Sequence, residues 1–337
     1  MKARMLVVPH LNWKSRSKFN RREVNDMAAN PNLNSNPGLG PQGMPAKSYY
    51  YHAESNVLHG SLKLPIEQEI LEQVPVKLNG EYGGHVFQRI DHYNLEGVIS
   101  FQSGYTHVSG NPSQEKNHGW VTLATSVLEG LNVLDVITAD RMVAQVSTEH
   151  PKKQGHVPSV TFLGTRFDNL RVAGYEVQLE LDLVICGDKP KGDTSYLDNP
   201  TFIKRWESQK LKRNSCRLPS ELQSEYDRKF HKTSGISSVG DEPGKAPARN
   251  ESLKCSLIKK IEPIPGVKIH GNVLEIPGFG FVSLAEVEVG VKPVHDPLSE
   301  RPESHYFALN MIEMYMGCIG EGRATGPFAM ANGHTRP

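Results

Sequence analysis

Cysteine is scarce and scattered. The four residues, Cys186, Cys216, Cys255 and Cys318, are never closer than 30 positions, so no C-x-x-C pair exists. That removes a zinc ribbon, a thioredoxin-type motif and a haem attachment site. Long apolar runs are also missing, which excludes a helical membrane span. Neither charge sign dominates: 38 Lys and Arg stand against 37 Asp and Glu, a net of +1, so the chain is not basic throughout. There is no P-loop, no G-x-S-x-G, no H-E-x-x-H and no EF-hand loop. The N-terminal apolar stretch is only Met5 to Val8 before Pro9, short of the roughly 7–15 residues of a secretory signal. With four dispersed thiols, this leads us to expect a cytoplasmic protein.

What is present suits a globular chain. The 337 residues are 37% apolar with 30 Gly and 23 Pro, enough for one large domain or two small ones and unlike a collagen or a coiled coil. Residues 1–46 are first basic and then rich in Asn, Pro and Gly, and are expected to form a disordered tail. Met27 is an alternative start. The body is expected over 47–337.

From Lys47 the sequence reads as successive strands. Expected runs include Leu95–Ser103, Tyr105–Ser109, Gly119–Val127, Val133–Thr138 and Met142–Thr148. The clearest is Tyr175–Ile185, which alternates apolar and polar residues with period two. Strands resume at 256–261, 272–276, 281–291, 305–318 and 327–331. Ile276-Pro-Gly-Phe-Gly-Phe resembles a Gly-rich loop, but a strand pattern follows it, so a turn with close backbone approach is expected. Gly38-Leu-Gly-Pro-Gln-Gly43 matches G-x-G-x-x-G without a strand before it or a helix after it, and is rejected. The expected fold is all-β: an antiparallel β-sandwich or distorted barrel with a short, partly helical insertion. The apolar segment Tyr306–Met316 is expected to pair with N-terminal strands and close the sheet.

The insertion covers residues 187–252. Asn199-Pro200 supplies an N-cap and a first-turn proline, with Phe202, Ile203 and Trp206 on one face. Leu222, Tyr226 and Phe230 suggest a second short helix, and 231–250 a linker. Residues 200–260 hold 14 Lys and Arg against 7 Asp and Glu. Residues 1–26 are also basic, so the rest of the chain is acidic. The insertion is therefore expected to pack on an acidic face of its own body or of a neighbouring subunit. No nucleic-acid-binding signature accompanies it.

Histidine is the one residue class with site potential. His107 and His118 flank one predicted hairpin loop, and His150 and His156 flank another. Convergence at the rim of a sheet would give a site for Zn, Fe or Mn. No other cofactor is expected.

The stretch Gly130-Leu-Asn-Val-Leu-Asp-Val-Ile-Thr-Ala-Asp140, followed by Met142-Val-Ala-Gln-Val, resembles the repeated strand–turn pattern of bacterial "choice-of-anchor" β domains. Pro158-Ser-Val-Thr-Phe-Leu-Gly-Thr-Arg-Phe-Asp-Asn-Leu170 resembles the strand pair that follows in them. The resemblance spans about residues 119–185. It implies an all-β fold and a bacterial source, and it carries no catalytic residues. The expected function is that of a non-enzymatic β scaffold that binds a protein partner or self-assembles. The alternative is a metal-dependent enzyme using the histidine rim. Salt-dependent oligomer size would mark the first, and histidine-dependent metal uptake the second.

Overall fold

Period-two burial organises most of the chain. The computed structural model describes residues 47–113, 118–152, 156–214, 233–236, 249–317 and 320–336. The expected tail, the second helix, most of the linker, Cys216 and Cys318 lie outside the described residues. The first half contains β1 (Ser48–Asn56), β2 (Leu58–Leu62), β3 (Gln68–Gln73), β4 (Val76–Gly80), β5 (Gly84–Leu95), β6 (Ile99–Pro112), β7 (His118–Val133) and β8 (Ile137–Pro151). The short strands β9 (Ser159–Thr161), β10 (Arg166–Asp168), β11 (Arg171–Val172), β12 (Tyr175–Glu176) and β13 (Leu179–Leu181) follow, then helix α1 (Pro200–Asn214). The second half contains β14 (Thr233–Ile236), β15 (Arg249–Ser256), β16 (Ile258–Ile261), β17 (Lys268–His270), β18 (Val273–Ile276), β19 (Gly280–Pro293), β20 (Glu303–Gly317) and β21 (Glu321–Arg336).

Most of the strands form two antiparallel sheets. The larger runs β14-β15-β19-β20-β21-β1-β4, with β18 and β17 joined to β19 and with β2 and β3 joined to β21. The second runs β12-β11-β8-β7-β6-β5, with β9 and β10 on β8. Strands β1 and β21 face β6, β7 and β8 across the core. The sheets stack as a sandwich and do not close into a barrel, so the first of the two expected architectures holds. Lys47–Pro337 forms one compact unit. Its interior is filled by Tyr49, Tyr51, Phe307, Leu309 and Ala331 from the large sheet and by Val108, Ala124, Leu128, Met142 and Val146 from the second.

The second sheet does not reach β15 and β19, and the insertion covers them instead. Ile185, Cys186, Tyr196, Leu197 and Phe202 are buried there. Tyr196 meets Phe307 edge-on, with ring centres 5.3 Å apart. Helix α1 begins as its sequence predicts: the Asn199 side chain accepts from the Thr201 amide at 2.9 Å. The Trp206 indole donates to the Lys254 carbonyl at 3.0 Å. Arg249 ties Asp198 (2.8 Å) to Glu303 (3.1 Å). The described part of the insertion thus docks on its own body, by apolar burial first and by ion pairs at the margin.

Several expected strands are cut differently. Leu95–Ser103 and Val133–Thr138 each straddle a tight turn. Glu96 and Gly97 both have positive φ (50° and 70°), as do Leu134 and Asp135 (52° and 55°). Paired positive φ is the signature of the two-residue hairpin turn whose twist matches the strands. Tyr175–Ile185 is broken into β12 and β13, and β13 pairs with β16 in a separate two-stranded sheet. It keeps the alternation and loses the continuous ladder, because its partners are two short strands. The Ile276-Pro-Gly segment is the expected turn, with the Phe279 amide donating to the Ile276 carbonyl at 3.1 Å. The strand that pairs with β1 is β21, and Tyr306–Met316 lies one place further in as β20.

Candidate functional site

The sandwich separates the four predicted histidines. On β6, His107 pairs with Thr125 and Phe87 and stands on the outer face of the second sheet. On β8, Gln145 and Ser147 share that outer face, while His150 points into the core and is 2% exposed. His107 and His150 therefore project from opposite faces and do not share an ion. The Tyr49 hydroxyl and His150 Nδ1 share a 2.6 Å hydrogen bond. Burial pushes His150 well below its ordinary pKa, with the cationic forms of His305, His334 and His156 and the Lys189 ammonium adding to the shift. His156 is half-buried, and its backbone N–H donates to Asp193 at 3.1 Å. His150 and His156 are thus within electrostatic reach of each other. The backbone of His118 stands opposite Pro151, and its side chain lies outside the described residues. Among the described residues, no three His, Cys, Asp or Glu side chains are grouped to hold a metal ion.

A different feature surrounds His107. Strand β5 ends the second sheet and pairs only with β6. Over Gly84–Asp91 its outer backbone edge has no strand partner among the described residues. His85, Phe87, Arg89 and Asp91 point outward; Val86 and Ile90 pack toward the core. Phe87 is 55% exposed, and Tyr82, in the turn leading into β5, is 97% exposed. Phe87 lies 5.9 Å from Tyr105, and His85 lies 6.4 Å from His107, measured between ring centres. Burial first, and His85 second, holds His107 below its ordinary pKa. Beside this aromatic patch, Arg141 donates to the Tyr105 hydroxyl at 2.7 Å. At His92, φ is 59° and the ladder with β6 skips a pair, so the edge pairs without interruption only up to Asp91.

Three concavities among the described residues bring charged side chains together. The largest, about 1000 Å³, runs between α1 and β16 and is lined by Lys204, Arg205, Lys259 and Lys260. Most of these cations are engaged: Lys259 with Glu180 at 2.6 Å, Lys260 with Glu262 at 2.5 Å, and Arg205 with the Val184 carbonyl at 2.8 Å. A second, about 360 Å³, lies on the outer face of the large sheet among His59, Glu286, Glu313 and Arg323. The third, about 430 Å³, lies on the same face beneath the β19–β20 loop and includes Tyr50, Lys292, Asp296, Asn332 and His334.

Residues 49–290 match the family described as Domain of unknown function (DUF8256). The chain belongs to this family. No curated protein and no solved structure matches it. The DUF8256 span takes in the β5 edge and all four predicted histidines. It stops within β19, two residues before Lys292. Sequence reasoning missed the β5 edge, although its signal was present in Val86-Phe87 and Ile90, three apolar residues in a segment bounded by Gly83-Gly84. For Lys292 no local signal existed, because its surroundings are assembled from β1, β19 and β21. No helix among the described residues is long and apolar enough to cross a membrane.

Proposed function

We propose that this DUF8256 protein is a non-enzymatic β scaffold that self-associates by pairing β5 with β5 of a second copy. The observation that carries the reading is the edge over Gly84–Asp91 that no described strand pairs, with Tyr82 exposed before it and Phe87 exposed within it. An edge of this kind is a template for strand addition, because a second strand satisfies its outward N–H and C=O groups. A two-fold axis through Gln88 keeps the pairing within this segment and sets Phe87 of each copy opposite Arg89 of the other, and His85 opposite Asp91. Within one chain Arg89 and Asp91 pair at 2.9 Å on an exposed surface, so letting Arg89 lean onto Phe87 of the other copy costs little. An interface of one strand and two rings is small, and micromolar affinity is expected.

Sedimentation velocity across a concentration series tests this. The expected result is a monomer–dimer equilibrium that weakens with added salt. Phe87→Lys sets a like charge opposite Arg89 and should shift it about tenfold or more toward monomer, and adding Arg89→Glu to that variant should restore the dimer. A wild-type chain that stays monomeric at every concentration overturns the reading, as does a dimer indifferent to Phe87→Lys.

A further inference from the structure

The cleft beneath the β19–β20 loop holds a cation without a counter-ion. Four strands of the large sheet set its floor in register. Tyr50 is opposite His334 and His52 is opposite Asn332 across β1 and β21, and Lys292 is opposite Ser304 across β19 and β20. The loop above is pinned. Asp296 accepts from His334 Nε2 at 2.7 Å and from the Leu298 amide at 3.0 Å, and it also holds Arg336. The Glu300 amide donates to the Thr335 carbonyl at 3.1 Å, and the Thr335 hydroxyl donates to the Glu300 carboxylate at 2.9 Å. The cleft is therefore formed in advance of any ligand.

Its charges are spoken for, with one exception. Asp296 is shared by His334 and Arg336, and Arg336 also pairs with Glu81. Glu54 is held by His52 at 3.3 Å and Lys77 at 3.4 Å. Lys292 is half-buried, with its ammonium 5.7 Å from the centre of the Tyr306 ring. It has no ion pair and no hydrogen bond with any described residue. Burial pushes its pKa down, and Glu54 draws it back up. Taking an ammonium partly out of water without a counter-ion is costly, and such a group offers a strong interaction to an anion that enters. One neutral donor accompanies it. The Asn332 side-chain oxygen accepts from the Ser304 hydroxyl at 2.9 Å and from the Gly333 amide at 2.5 Å. That fixes the side chain and leaves its NH₂ group without a partner among the described residues. Tyr50, Pro293, Val294 and Pro297 supply apolar wall.

We propose that this cleft binds a small organic monocarboxylate with an apolar or aromatic body, its carboxylate held by Lys292 Nζ and the Asn332 amide. The charge balance sets the class. One uncompensated ammonium matches one negative charge, whereas a phosphate dianion would bring excess charge close to Asp296 and Glu54. The cleft volume, about 430 Å³, suits a small molecule. This assignment is independent of the β5 edge, which belongs to the other sheet.

Isothermal titration with sodium benzoate, sodium acetate and inorganic phosphate tests it. Benzoate is expected to bind saturably with a Kd at or below about 1 mM. Acetate, which lacks a body for the apolar wall, should bind at least about tenfold more weakly. Lys292→Gln should weaken benzoate by about tenfold or more, while Lys268→Gln, an exposed lysine tied to Glu275 at 2.7 Å, should leave it unchanged. Asn332→Asp keeps the side-chain shape, removes the NH₂ donor and adds repulsion. It should abolish binding, and it carries the test if Lys292→Gln fails to fold. No saturable benzoate binding by the wild type, binding that survives either cleft variant, or phosphate binding as tight as benzoate overturns the proposal.

Discussion

Single buried polar residues tie the two sheets of this sandwich together. Tyr49 on β1 stacks on Trp120 of β7 at 5.2 Å and shares its hydroxyl with His150 of β8. Gly333 makes room for it, because a side chain there would collide with the Tyr49 hydroxyl. A second buried histidine, His305 on β20, shares a 3.0 Å hydrogen bond with the Ser195 hydroxyl. Both imidazoles are held neutral by burial, His305 with a pKa of about 4 despite the opposing pull of Glu303. The consequence for stability has a definite sign. Between the ordinary histidine value of 6.5 and about 4, the unfolded chain binds a proton at this position and the folded chain does not. The contribution is complete above pH 6.5 and is lost as pH falls through this window, at up to about 1.4 kcal/mol per pH unit. Replacing His305 with Gln removes that titration. Urea unfolding at pH 7.5 and pH 5 should therefore show the wild type losing about 2 kcal/mol more than the variant. Equal losses in the two proteins would show that His305 is not the group responsible.

At the scale of elements, three tight turns stack at one end of the second sheet. The Leu134 amide donates to the Val98 carbonyl at 3.0 Å, and the Ala173 amide donates to the Val136 carbonyl at 2.7 Å. Asn94 and Asn132 play the same part in the first two turns, each side-chain oxygen accepting from the amide three residues on, at 3.0 and 2.9 Å. Ala173 opens the third turn with φ of 50°, a conformation that strains an exposed alanine. Asn tolerates it far better, so Ala173→Asn should raise stability by about 0.5–1 kcal/mol, read as a higher Tm with an unchanged circular dichroism spectrum. A lower Tm would mean that the alanine methyl contributes packing that outweighs the strain. These turns also explain which parts of the fold are legible in the sequence. Asn199-Pro200 and Pro277-Gly278 announce themselves, because cap and turn chemistry is local. Leu134-Asp135 does not, since its turn is held by Asn132 and by the neighbouring hairpin, while its leucine reads as strand. The histidines fail for a related reason. Flanking a loop fixes a residue's height along a strand, but its face depends on pairing register, which no short segment encodes. The all-β class survives such errors because it rests on many alternating segments at once.

At the scale of the molecule, the two halves of the chain are woven into one sheet. The family match covers residues 49–290, yet β20 and β21 stand between β19 and β1. The matched span therefore lacks the strands that join its own first and last elements. Strand β1 pairs with β21 along its whole length, from Ser48 opposite Arg336 to Asn56 opposite Phe328. The buried side chains of β21 and β20 pack directly on those of β7 and β8. A single cut between residues 237 and 248 would break none of these ladders. Limited proteolysis that nicks this stretch should thus leave two fragments that co-elute at the size of the intact protein and separate only in denaturant. The apolar faces of the two fragments bury one another, and neither can cover its own share of the core alone. Fragments that part under native conditions, each keeping a cooperative melt, would mean that the halves are independent domains and that the sheet order from β19 through β21 to β1 is wrong.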